Sequence, residues 1–91
     1  MYAVVVQVKV GEVEQAQQAL ESEVVPRVSQ APGFKAGYWT RADDGGETTG
    51  LSMVVFDSEE SARAAADRVR ESMPETVTLE SVQVREVVAS A

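Results

Sequence analysis

The first ten residues alternate between two sets of side chains, which is the pattern of a β-strand. Apolar side chains stand at every second position from Tyr2 to Val10, and the positions between them place Val5 among Gln7 and Lys9. A period of two together with a high valine content predicts a strand over these residues. Because the second set is only partly polar, we expect both faces of the sheet to be covered at least in part.

A helical spacing of apolar residues begins at Glu12. Apolar side chains now recur every three or four positions, which predicts an amphipathic helix. Pro26 clashes with a continuing helix, so two outcomes are open: the helix ends near Val25, or it kinks there and makes one more turn. The Ala-Pro-Gly sequence at 31–33 stops it in either case. The predicted apolar stripe consists of Val13, Ala16, Leu20, Val24 and, in the longer helix, Val28.

Two further strands follow, with a glycine-rich turn between them. Alternation predicts one strand over Phe34 to Arg41 and another from about Thr48 to Phe56. The turn has the sequence Asp-Asp-Gly-Gly at 43–46, which supplies the positive φ angles that tight hairpins need. On the third strand Leu51, Met53 and Val55 share one face, and Ser52, Val54 and Phe56 share the other.

A second helix and a last strand complete the chain. Asp57 followed by Glu60 is close to a capping box, which predicts Asp57 as the N-cap. Pro74 is expected to end the helix. The last strand is predicted from about Val77 to Val88, with a change of phase near Ser81 that indicates a bulge. The apolar stripe of the second helix consists of Ala62, Ala65, Ala66, Val69 and Met73.

The predicted order of elements is strand, helix, strand, strand, helix, strand, within one domain that spans residues 1–91. This order is that of the α+β ferredoxin-like βαββαβ fold, in which both helices cover one face of an antiparallel sheet. Right-handed crossovers place the first strand at the centre, beside the third and the last. On the uncovered face we expect Ala3, Val5, Val54, Phe56 and some aromatic residues of the second strand. Since so short a chain gains much from covering that face with a second copy, we expect a two-fold homodimer that forms a dimeric α+β barrel.

Composition excludes several kinds of chemistry. The 91 residues contain no Cys and no His, so disulfides, thiolate chemistry and His-ligated haem are excluded, and neither a metal nor a cofactor is expected. The net charge is −7 and the eight basic residues are scattered, which disfavours binding to nucleic acid. No apolar run approaches bilayer thickness, and the N-terminus carries no export signal. We therefore expect a cytoplasmic protein without a membrane partner, with a composition typical of a GC-rich bacterial genome.

Several segments follow the patterns of a known superfamily. They are Tyr-Ala-Val-Val-Val at 2–6, Glu-Val-Val-Pro-Arg-Val at 23–28, Ala-Pro-Gly-Phe at 31–34 with Gly-Tyr-Trp at 37–39, Val-Val-Phe-Asp-Ser-Glu-Glu-Ser-Ala at 54–62 and Val-Gln-Val-Arg-Glu-Val-Val at 82–88. In these segments the chain resembles the dimeric α+β barrel superfamily, in the branch of antibiotic-biosynthesis-monooxygenase-like domains. The resemblance implies the barrel, the dimer and a pocket between helices and sheet.

Members of that superfamily with known chemistry are cofactor-free oxygenases of aromatic polyketides, quinol oxygenases or haem-degrading enzymes. Several of them use an Asn, a Trp and a His around the pocket. This sequence has neither Asn nor His, and Trp39 lies earlier in the chain than the tryptophan of those enzymes. The resemblance therefore supports the fold and the dimer, and it does not imply a mechanism.

Tyr38, Trp39 and Arg41 are the candidate site residues. Tyr38 and Trp39 lie on opposite faces of one strand, so one should be under the helices and the other in the dimer interface or at the barrel rim. Each either contacts a ligand or simply packs. Arg41 shares the face of Trp39, and it either holds the anionic group of a phenolate or carboxylate ligand or forms a surface ion pair. The candidate partners for such a pair are Asp43, Asp44 and Glu47.

Small residues suggest where a ligand would sit. The alanine stripe of the second helix faces Ala36, Gly37 and Gly50, which either draws helix and sheet together or leaves a modest apolar pocket. The first hypothesis is a homodimer that binds a small aromatic or apolar compound and, as the resemblance implies, acts on it like a cofactor-independent monooxygenase, with Tyr38 and Arg41 as candidate catalytic groups. The alternative is a non-catalytic ligand-binding or dimerisation module of the same fold.

Overall fold

Four strands form a single antiparallel sheet in the computed structural model, which describes residues 1–72 and 77–91 apart from the side chain of Asp44. The strands are β1 (Tyr2–Val10), β2 (Phe34–Asp44), β3 (Glu47–Phe56) and β4 (Val77–Glu86). Their order in the sheet is β2-β3-β1-β4. The predicted ferredoxin-like α+β topology, with the first strand between the third and the last, is thereby confirmed.

The chain between β1 and β2 forms one run of helix in three parts. These are α1 (Val13–Ala19), a π-helical turn (Leu20–Val24) and α2 (Val25–Ser29). Pro26 lies in the first turn of α2 and has no N–H to donate to the helix. The π turn ends directly before it, with the Val25 N–H donating to the Leu20 carbonyl. Of the two predicted outcomes, the helix therefore takes the longer one and continues past Pro26 for another turn.

The other helix, α3 (Glu59–Glu71), begins one residue later than the sequence predicts. Its N-cap is Ser58, whose Oγ accepts a hydrogen bond from the Ser61 N–H at 3.2 Å. The prediction of Asp57 as the N-cap is wrong, because the Ser58 carbonyl accepts the first helical hydrogen bond, from the Ala62 N–H at 3.2 Å. Asp57 precedes the helix, and its N–H donates to the Gly33 carbonyl at 2.9 Å, which ties the chain to the turn before β2. Among the described residues no helix is long and apolar enough to cross a membrane.

The core lies between α3 and the sheet. α3 packs against β4 and β1, and α2 packs against the edge strand β2. The predicted stripe of α3 is confirmed for its four described members, while Met73 and the helix-ending role of Pro74 fall outside the described residues. The buried residues of this core are Val4, Val6, Val54, Phe56, Ala62 and Ala66. Ala3 is also buried, but it pairs with Val55 on the other face of the sheet, as the sequence predicts.

Val54 and Phe56 lie on the helix-covered face of the sheet, so their predicted place on the uncovered face is wrong. Val54 pairs with Val4 of β1, and Phe56 pairs with Tyr2. Residues directly opposite each other in an antiparallel pair share a face. Because Val4 is part of the core beneath α3, Val54 and Phe56 are buried there with it.

Two local irregularities that the sequence predicts are present in the sheet, whereas a change of register between Phe34 and Ala36 in the pairing of β2 with β3 was not predicted. Gly45 and Gly46 form the hairpin loop between β2 and β3, with φ angles of +61° and +88°. Such left-handed conformations are what a two-residue hairpin loop requires. The pairing of β1 with β4 changes register between Gln7 and Val8, opposite Ser81, which confirms the predicted change of phase in the last strand.

Candidate functional site

A cavity of about 250 Å³ lies between the helices and the sheet. Its floor is the helix-covered face of the central strands, and its walls are the first run of helix and one side of α3. The sequence left open whether the alanine stripe of α3 packs closely or leaves a pocket. The stripe packs closely, with Ala62 and Ala66 buried, and the cavity lies beside it under the first run of helix. Ala36, which was expected opposite the stripe, pairs with Val55 on the other face of the sheet. The floor residues include Val4, Val6, Val8, Val10, Val54 and Phe56.

The cavity exists because the two runs of helix approach the sheet differently. α3 presents alanine to the sheet, and Ala62 and Ala66 are fully enclosed. The run from α1 to α2 presents larger side chains such as Leu20 and Val24, and none of its residues is fully buried. Small side chains allow close packing, whereas the branched ones hold their helix away from the sheet. The space remains on the side of the first helical run.

Trp39 is one wall of this cavity. It projects from β2 on the helix side, and its ring folds back over Gly37. A Cβ at Gly37 would lie 2.7 Å from Trp39 Cη2 and 3.4 Å from Phe34 Cε1, so glycine at this position makes room for the indole. The half-buried ring is the only tryptophan of the sequence, which makes it a natural reporter of anything that enters the cavity.

Three arginines line the same cavity: Arg27 of α2, Arg41 of β2 and Arg68 of α3. Two of the predicted partners of Arg41 are engaged elsewhere. Asp43 accepts a hydrogen bond from Thr48 at 2.6 Å, and Glu47 lies 3.9 Å from Lys9. The ion pairs among the described residues involve other basic residues. The side chain of Asp44, the remaining predicted partner, is outside the described part of the structure.

Tyr38 lies on the opposite face of the sheet, away from the cavity. Met53 pairs with both Val5 of β1 and Tyr38 of β2, so a row of apolar side chains crosses three strands on the face that no helix covers. Tyr38 is 67% exposed, Met53 48% and Leu51 49%. We call this surface the open-face patch; its members are Val5, Tyr38, Leu51, Met53 and Val55.

The structure thus separates the three candidate residues into two places. Trp39 and Arg41 meet in the cavity, and Tyr38 is in the open-face patch. Sequence reasoning did not single out Arg27 and Arg68. The available signal was helical spacing, since Arg27 stands three residues after Val24 and Arg68 three residues after Ala65, which puts each beside an apolar stripe.

No cluster of three side chains suited to hold a metal ion occurs within residues 1–72 and 77–91. Arginine cannot ligate a cation, and the polar lining of the cavity is otherwise made of amides and hydroxyls such as Gln17 and Ser52. The chemistry that this lining offers is therefore apolar contact, neutral hydrogen bonding and the binding of negative charge.

Comparison with known proteins identifies the fold. A dimeric ferredoxin-like protein from an uncultured marine organism, known from a crystal structure, matches with a TM-score of 0.67 and 13% sequence identity, over 100% of this chain and 98% of that one. No family model matches the sequence, and no curated protein does. At this level of identity the match concerns the fold alone.

Proposed function

We propose that this protein is a homodimer that binds a small apolar or aromatic compound in the cavity between its helices and its sheet. The cavity itself carries the proposal. It measures about 250 Å³, its lining is largely apolar, and it contains the only tryptophan. An apolar cavity of about 150 Å³ already admits benzene, so the space suits a ligand of one or two rings.

The open-face patch supports the dimer. The sequence is 44% hydrophobic, yet only seven hydrophobic residues are buried among those described in one copy. Three members of the patch, Tyr38, Leu51 and Met53, are 48–67% exposed, and contiguous exposed apolar surface of this kind is typical of an interface. A second copy placed face to face covers both patches at once, and the similar marine protein is itself dimeric.

Ligand binding without chemistry is the function we favour over oxygenation. An oxygenase that needs no cofactor must take a proton from its substrate, which requires a base within reach. The sequence has no His, the described lining includes no Asp or Glu, and Tyr38 lies on the far side of the sheet. The observation in favour of the monooxygenase-like alternative is Arg41, which stands beside Trp39 in the cavity and could stabilise a phenolate.

A neutral two-ring probe tests ligand binding directly. Naphthamide is titrated into the protein by calorimetry, while the single indole N–H signal of Trp39 is followed by NMR. We expect saturable binding that shifts this signal. Ala65→Leu fills the cavity wall and should abolish both effects, whereas Ala64→Leu makes the same change on the exposed side of α3 and should preserve them.

The same pair of variants tests the alternative. Oxygen consumption is recorded with anthrone-like and quinol substrates. Uptake that is lost in Ala65→Leu but kept in Ala64→Leu would establish catalysis in the cavity. Binding of naphthamide without oxygen uptake supports the non-catalytic function, and a naphthamide titration that shows no binding and no indole shift would refute the proposed ligand site.

A further inference from the structure

The charges around the cavity are the reverse of those of the whole chain. Acidic residues outnumber basic ones by 15 to 8 in the sequence. The described lining of the cavity nevertheless contains three arginines and no Asp or Glu. An apolar cavity with only positive charge at its edges raises the local concentration of anions, even in a protein of net negative charge.

Two of these arginines lie towards the same end of the sheet. Arg41 pairs with Gly50, which in turn pairs with Val8, near the end of β1 that is marked by Val10. α3 starts just after β3, at the other end, and a rise of about 1.5 Å per residue carries Arg68 roughly 14 Å back along the sheet. Both side chains therefore lie towards the Val10 end.

Arg27 lies towards the other end of the cavity. It belongs to the last turn of the first helical run, shortly before Phe34, and Phe34 pairs with Phe56 at the Tyr2 end of the sheet. Across the sheet, Arg41 stands on the edge strand β2 and Arg68 on α3 above β1 and β4, so the two arginines face the cavity from opposite sides. A ligand with its charged group between them would have its apolar body towards Trp39.

Among the described side chains, which do not include that of Asp44, neither Arg41 nor Arg68 has an ion-pair or hydrogen-bond partner. The ion pairs found there belong to Lys9, Arg63 and Arg70, and Arg85 binds Gln83. A guanidinium stays charged at any physiological pH and presents five N–H donors in a plane that matches a carboxylate. Both residues are exposed, so solvent screens their attraction for an anion and the expected gain in affinity is a modest factor.

We propose that the cavity takes an organic acid, with its carboxylate held at the Val10 end by Arg41 and Arg68 and its apolar body of one or two rings against Trp39 and the valines of β1. This inference rests on the proposed function and names the class of its ligand. The contrasting reading is that both arginines only cover apolar surface with their stems, and that reading predicts no preference for acids.

Naphthoate and naphthamide differ in charge and hardly in shape, so they separate the two readings. We expect naphthoate to bind the wild-type protein about tenfold more tightly than naphthamide. Arg41→Gln and Arg68→Gln should each weaken naphthoate binding by roughly three- to tenfold and leave naphthamide binding nearly unchanged. Arg63→Gln is the matched control, because Arg63 lies on the same helix as Arg68 and pairs with Glu59 outside the cavity.

The possible results separate the ligand site from the acid preference. Equal affinities for naphthoate and naphthamide, with the Trp39 indole signal shifted by both, would overturn the acid preference and keep the ligand site. A loss in Arg63→Gln as large as in Arg41→Gln would also overturn it, since the effect would then be one of overall charge. If neither compound binds or shifts the indole signal, the ligand site fails and the acid preference fails with it. The acid preference is supported if the wild-type protein binds naphthoate more tightly than naphthamide, and if this difference becomes smaller in added salt and in Arg41→Gln and Arg68→Gln.

Discussion

The open-face patch makes a quantitative prediction about association. Met53 is at its centre, paired with Val5 and Tyr38, and it is 48% exposed in one copy. Full burial of a Met or Leu side chain contributes about 1.5–3 kcal/mol, so covering the exposed half contributes about 1 kcal/mol. A two-fold dimer buries the residue twice, which doubles the contribution to about 2 kcal/mol.

Met53→Lys removes this contribution and places an ammonium group in the interface. Loss of about 2 kcal/mol alone raises the dimer dissociation constant about 30-fold, and the cost of burying two unpaired charges adds to it. Lysine is the informative replacement because it brings the net charge of −7 closer to zero. Weaker association then reflects the local interface and not increased repulsion between acidic subunits.

Sedimentation equilibrium across the micromolar range measures this effect. The wild-type protein and Val88→Lys should both be dimers. Val88 is 88% exposed beyond the end of β4, and its replacement introduces the same lysine and the same charge away from the open-face patch. Met53→Lys should be a folded monomer, as judged by circular dichroism. A wild-type protein that sediments as a stable single subunit, or a Met53→Lys variant that dimerises as well as Val88→Lys, would refute the assignment of the open-face patch.

Two further predictions concern the stability of the fold, measured by urea unfolding at a fixed protein concentration. Ser58→Ala should lower the free energy of unfolding by about 1 kcal/mol, because the hydroxyl caps α3. Asp57→Ala should lower it by less, and a larger loss in Asp57→Ala than in Ser58→Ala would contradict the observed cap. Gly33→Ala should cost more than Gly46→Ala, although both glycines have left-handed φ angles of similar size, +82° and +88°. A Cβ at Gly33 would clash with Asp57 Oδ1, whereas nothing lies within 4 Å of a Cβ at Gly46. Equal losses of about 1–2 kcal/mol would show that backbone strain alone matters.

Local patterns in the sequence predict the elements and their order well. Valine at alternate positions determines β1, and Gly45-Gly46 determines the hairpin, because each signal acts through neighbouring residues. The N-cap of α3 is predicted one residue too early because Asp57 and Ser58 are both good caps, and the sequence does not say whose carbonyl accepts the first helical hydrogen bond; in the structure it is that of Ser58.

Which face of β3 meets the helices could not be read from its own residues. Leu51, Met53 and Val55 look at least as apolar as the set that includes Val54 and Phe56, so burial could be assigned to either. The register with β1 decides, because Val54 comes opposite Val4. Whether a cavity is present could not be predicted for a related reason. Its volume depends on how far Leu20 and Val24 hold their helix from the sheet, and this distance is set by packing between elements.

The apolar character of both faces of β3 is an argument that the sheet is covered on both sides, by the helices on one face and by a second copy of the chain on the other. A strand that is apolar on one face needs one cover, whereas β3 is apolar on both, and within the chain the helices cover only the face of Val54 and Phe56. Adjacent Tyr38 and Trp39 repeat this division on β2, with Trp39 against the cavity and Tyr38 67% exposed on the other side. Since a side chain points to one face of its strand, the proposed dimer interface and the proposed ligand site draw on different side chains of the same strands, Tyr38 and Met53 for the first and Trp39 for the second, so we expect that each can be removed without altering the other.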